Sequence, residues 1–99
     1  MNQTELTTTT LKENFTTYLT ADIYAPERLA EWCKKNYPAV EYCRLFREQL
    51  RSAIRVPGTV SPKTYERWTG DDDYPTQGML QNHLNEIWKM CFPGETIAS

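Results

Sequence analysis

The chain has 99 residues, a formal net charge of −2, and 39% hydrophobic and 24% charged residues. That length supports one modest hydrophobic core and excludes a two-domain arrangement. Mild overall acidity argues against a general polyanion binder.

Residues 1–9 read as a flexible polar tail, because a threonine run has poor helix propensity and nothing to bury. Their polar character also lacks the basic and apolar blocks of a signal peptide, and no later run approaches a membrane span. A cytoplasmic protein without membrane contact is expected. Thr10 and Glu13 fit a T-x-x-E capping box, and Leu11, Phe15, Tyr18 and Leu19 follow at helical spacing, predicting a helix over about 10–20. Pro26 suits the first position of a second helix ending near residue 36, where Pro38 pushes Tyr37 out of the helical region. A third helix is predicted from Pro38 or Ala39 to Arg55, stopped by Pro57 and Gly58. Ser61 as N-cap, Pro62 as first residue and Gly70 as stop bound a short helix at 62–69. After the loop GDDDYP, Thr76 caps a last helix that ends before Phe92. Met79, Leu80, His83, Leu84, Ile87, Trp88 and Cys91 mark its apolar side. The prediction is an all-α domain of about five helices over residues 10–93, followed by a flexible tail at 94–99.

Cys33, Cys43 and Cys91 are odd in number and lack C-x-x-C spacing. With a single histidine, His83, they form neither a metal-site pattern nor a disulfide framework. On apolar helix faces they read as small hydrophobes. Asp71, Asp72 and Asp73 lack cation-loop spacing and read as a solvated acidic turn. His83 reads as a satisfied core histidine, since no Ser, Cys or acid is placed by motif to work with it. There is also no Gly-rich phosphate loop and no nucleophile elbow. No enzyme activity, metal or cofactor is predicted.

Charge is distributed unevenly. Residues 1–33 hold two basic and five acidic groups, residues 34–67 eight and three, and residues 68–99 one and five, giving −3, +5 and −4. The basic centre lies largely on the third helix. At about 100° per residue, Arg44, Arg47, Arg51 and Arg55 share an arc of roughly 80° beside the apolar face. Successive like charges at i, i+4 each cost about 0.2–0.5 kcal/mol. Three situations would relieve that cost: a bound anion such as phosphate or a partner's carboxylates, pairing with the chain's own Asp71–Asp73, or simple solvation.

The stretch "VSPKTYERW" resembles the recognition-helix segment of helix-turn-helix (HTH) proteins, especially the winged MerR-like and excisionase-like group. It begins Val-Ser-Pro and ends Arg-Trp, and the resemblance covers about ten residues. It implies an HTH at about 46–69, with "EQLRSAI" as supporting helix and "RVPGTV" as turn. The acidic "GDDDYP" stands where a basic wing would follow. On this resemblance, Ser61, Lys63, Thr64 and Arg67 would meet phosphates or base edges, with Arg44, Arg47, Arg51 and Arg55 on the DNA backbone. Tyr65 and Trp68 would pin the other side into the core.

The expected function is therefore a small DNA-binding regulator of transcription or of a mobile element. The alternative is a helical protein–protein interaction module whose arginine face docks an acidic partner. In either case the last helix, through Met79, His83, Ile87 and Trp88, is the candidate surface for a partner or a homodimer.

Overall fold

The computed structural model describes residues 3–95 and residue 97. The helices are α1 (Gln3–Tyr18), α2 (Pro26–Asn36), α3 (Glu41–Arg55), α4 (Pro62–Thr69) and α5 (Gln77–Cys91), and no strand occurs among the described residues. Residues 1, 2, 96, 98 and 99, which belong to the two predicted tails, lie outside the described residues. No helix among the described residues is long and apolar enough to cross a membrane.

Two boundaries differ from the sequence expectation. α1 begins at Gln3, so the predicted tail is largely helical and Thr10 is interior to a helix rather than its cap. Thr8 and Thr10 are buried, and the Thr10 carbonyl accepts a 2.9 Å bond from Asn14 Nδ2. Tertiary burial here overrides weak threonine propensity. α3 begins at Glu41, because residues 37–40 form a turn in which Val40 N–H donates to the Asn36 carbonyl at 2.8 Å. α2, α4 and α5 start and stop where their prolines, caps and glycine place them.

α3 packs on α1 and α5, α2 packs on α5 and α1, and α4 lies on α1. Phe15 of α1 is fully buried at the centre of this arrangement. Its ring meets Phe46 of α3 at 6.4 Å, Tyr65 of α4 at 5.8 Å and Trp68 at 6.4 Å, all edge-to-face. Leu11 and Leu19 extend that seam on α1, while Leu80, Leu84, Ile87 and Trp88 supply the α5 side. Cys33, Cys43 and Cys91 are free and buried, each from a different helix or helix end. The hydrogen bond to Cys91, together with burial, pushes the Cys33 thiol up. The three behave as core groups, as their positions on apolar faces predict.

Phe15 joins three helices, so its truncation tests the packing directly. Phe15→Ala is expected to cost about 3–5 kcal/mol, a large part of the about 5–15 kcal/mol that holds a domain folded. Chemical denaturation measures this. A loss below about 1 kcal/mol would contradict the central position of Phe15.

Candidate nucleic-acid interface

α4 is oriented by two buried residues one turn apart, Tyr65 and Thr69. Tyr65 has no exposed surface, and its hydroxyl shares a 2.9 Å hydrogen bond with His83 Nε2 of α5. Burial, reinforced by the charge of Asp71, pushes the Tyr65 phenol up, so it keeps its proton at neutral pH. Thr69 Oγ1 donates to the Tyr65 carbonyl at 2.9 Å and accepts from Asp71 N–H at 3.1 Å. With Tyr65 and Thr69 inward, the 3.6-residue period turns Lys63, Glu66 and Arg67 outward, and all three are exposed.

The first turn of α4 is closed by its own side chains. Ser61 Oγ accepts from Thr64 N–H at 3.2 Å and donates to Thr64 Oγ1 at 3.0 Å. Arg67 Nη2 reaches the same Thr64 oxygen at 3.4 Å. Gly70 ends the helix with φ 76°, a left-handed conformation that glycine adopts without penalty. Ser61, Thr64 and Arg67 are thus brought together as one hydroxyl–guanidinium row, with Lys63 on the neighbouring outward position.

Beside this row runs a groove of about 720 Å³ between α1 and α4. Thr64, Arg67 and Trp68 form one wall, and Lys12, Glu13 and Thr16 of α1 form another. Thr59, from the connection that precedes α4, also lines it. Lys12 and Thr59 were not among the residues singled out from the sequence. The signal was present on α1, where Thr9, Lys12 and Thr16 recur at helical spacing, but the helix was expected to start only at Thr10.

The arginine stripe of α3 is divided by its surroundings. Arg47 is mostly enclosed: Nε donates to Glu95 Oε1 at 2.8 Å and Nη1 pairs with Glu48 at 2.7 Å. Its guanidinium lies 5.7 Å from the Tyr37 ring centroid and 5.2 Å from that of Trp88. Trp88 Nε1 in turn donates to the Glu95 carbonyl at 3.0 Å. Burial opposes the Arg47 charge, but the bond and charge of Glu95 hold the group above its ordinary value. Arg51 lies 3.9 Å from Glu48, and Arg44 donates to the carbonyls of Pro38 and Ala39. Arg55 is exposed and has no ion pair among the described residues.

Among the described residues, the ion pairs of the stripe run to Glu48 and Glu95, and none to Asp71–Asp73. Arg47, expected on the DNA backbone, is mostly enclosed and spends three of its N–H groups on Glu48 and Glu95. α4 also rests on α1 rather than on α3, so the segment 46–69 lacks the tight packing of its two helices on each other.

On α5, Met79 is exposed, whereas His83, Ile87 and Trp88 are buried. Those three are core residues, and the exposed side chains of this helix include Met79, Asn82, Glu86 and Lys89. His83 stacks on Tyr74 at 4.2 Å and 14°, with Tyr24 further out at 6.5 Å and 24°. The carboxylates of Asp71, Asp72 and Asp73 each bring an oxygen within 4.8 Å of the others.

The chain matches no protein-family model, no curated protein and no solved structure.

Two measurements follow from these contacts. Arg47→Ala is expected to cost about 1.5–3 kcal/mol of stability, as for hydrogen bonds to charged groups. Arg55→Ala, at an exposed and unpaired site, is expected to cost at most about 0.5 kcal/mol. Equal losses in denaturation would contradict the Arg47–Glu95 clamp. The second concerns pH. Burial lowers His83 below the ordinary histidine value of 6.5, against the charges of Asp71 and Glu86. Below about pH 6.5 the unfolded chain takes up a proton that the folded chain resists, so unfolding is favoured as pH falls. The stability contributed by neutral His83 is complete above that pH and is lost as pH falls toward the folded value. The denaturation midpoint should drop from about pH 7.5 to about pH 5, and drop less in His83→Gln. Equal drops would mean that carboxylates alone set the acid response.

Proposed function

We propose that this chain is a small DNA-binding protein, a regulator of transcription or of a mobile element, with α4 as the contacting helix. One observation carries the reading. Burial of Tyr65 turns Lys63 and Arg67 outward beside a hydroxyl-lined groove that holds a third cation, Lys12. Cations and hydroxyls are the groups that meet phosphate and sugar, while exposed side chains on a short helix can reach base edges.

The contact set differs from the one expected. Lys12, Lys63 and Arg67, with Arg55 at the end of α3, supply the charge, and Thr64 and Thr59 supply hydroxyls. Arg47 serves the fold instead. The alternative, an arginine face that docks an acidic partner, loses the same central guanidinium to Glu95 and is favoured less.

Charge counting separates the two contact sets. Four phosphate contacts give a salt dependence of log K on log salt near about −3.6, whereas six contacts including the whole α3 stripe give about −5.4. Fluorescence anisotropy with labelled mixed-sequence duplex DNA measures the slope. The reading predicts the shallower value, with binding abolished at moderate salt in Lys63→Ala/Arg67→Ala. Absence of binding at low salt would remove it.

A further inference from the structure

We propose that the aromatic face formed by Tyr24, Tyr74 and Met79 docks a cationic, lysine- or arginine-bearing segment of a partner protein. This goes beyond the DNA reading and stands whether or not DNA binds.

The face is continuous because Tyr74 belongs to both of its parts. Between the loop at 20–25 and the loop at 70–74 lies a hollow of about 370 Å³ walled by Tyr24 and Tyr74. Ala21 and Gly70 also line it, and the Ala21 N–H donates to the Thr69 carbonyl at 2.8 Å, joining the two loops. Next to it, Tyr74, Met79, Asn82 and Glu86 form an open shelf of about 380 Å³ over His83. The hollow is large enough to admit a long side chain, and the shelf lies directly beside it.

The rings are held rather than free to collapse inward. Tyr74 stacks on the buried His83, which is itself fixed by the Tyr65 hydroxyl. Tyr24 remains 45% exposed although its φ of 31° is unfavourable for a side chain larger than glycine. Met79 is equally exposed, at 45%. An exposed tyrosine, an exposed methionine and a half-buried tyrosine on one face make a patch of the kind that partners cover.

Charge complementarity selects the occupant. Residues 68–88 contain four acidic groups and no basic one, and the loop at 20–25 adds Asp22. Asp71, Asp72 and Asp73 line the hollow itself, and Glu86 lines the shelf. No ion pair among the described residues engages the three aspartates; Glu86 meets Lys89 at 3.7 Å on the exposed surface of α5. Burial and the neighbouring charges push the Tyr74 phenol up to about 12, so its ring stays neutral. Neutral tyrosine rings attract ammonium and guanidinium groups, and the carboxylates add long-range steering. Nucleic acid is repelled by the same charges, so this surface is separate from the α4 face.

The test uses the full-length, isotope-labelled chain titrated with a short synthetic peptide of alternating arginine and leucine, followed by amide chemical shifts. Saturable shifts confined to residues 21–24, 70–74 and 79–86 are expected. Affinity should fall about tenfold in Asp72→Asn/Asp73→Asn, and also in Met79→Ala, while Lys63→Ala/Arg67→Ala leaves it unchanged. A peptide with glutamate in place of arginine should not bind. Each altered residue is exposed, and circular dichroism verifies that the fold is retained. Shifts scattered over every acidic residue, or no shifts, would overturn the proposal. So would sedimentation showing self-association through these residues, because the occupant would then be a second copy of the chain.

Discussion

The hydrogen bond between Tyr65 and His83 is the constraint from which the cationic face of α4 and the neighbouring aromatic face follow. It joins α4 to α5 across sequence positions that share no local pattern, and it is buried on both sides. A buried phenol without a partner would be unfavourable, and a buried imidazole has the same need. Each satisfies the other. Because Tyr65 faces inward for this reason, Lys63 and Arg67 face outward, and because His83 is fixed, Tyr74 has a flat ring to stack on. The same buried contact thus orients both the outward cations of α4 and the Tyr74 ring beside it.

A second division concerns charge. The stripe on α3 has local repulsion that needs relief, and the fold supplies most of it with acids and carbonyls of its own. Arg47 combines two carboxylates with two aromatic rings, an arrangement suited to the planar guanidinium. An arginine held in this way also holds Glu95 and hence the segment after α5. Among the exposed cations, Lys12, Lys63, Arg55 and Arg67 come from three helices and are not a stripe in sequence. Acidic residues gather instead around Tyr24 and Tyr74, so the molecule presents surfaces of opposite sign.

Much of the helical architecture was legible in the sequence. Pro26, the Ser61–Pro62 pair, Gly70 and Thr76 mark helix ends by local chemistry, and local chemistry is what a sequence displays. Thr10 shows the limit of such marks. It satisfies the capping-box pattern, yet the burial of Thr8 and Thr10 extends the helix past it. The candidate site was legible in part, because the helical period alone places Lys63 and Arg67 opposite Tyr65. The fate of Arg47 was not, since Glu95 lies 48 residues away and only the packed chain brings it near. The same holds for Lys12, which reaches the groove through the packing of α1 against α4.

If α4 is the DNA-contacting helix, DNA meets Arg67 while Arg47 remains in the fold. Nuclear magnetic resonance of the arginine Nε–H groups, recorded as duplex DNA is added at low salt, tests it most directly. The Arg67 signal is expected to shift with DNA while the Arg47 signal stays in place, held by its bond to Glu95. A shift of Arg47 with no change at Arg67 would contradict it.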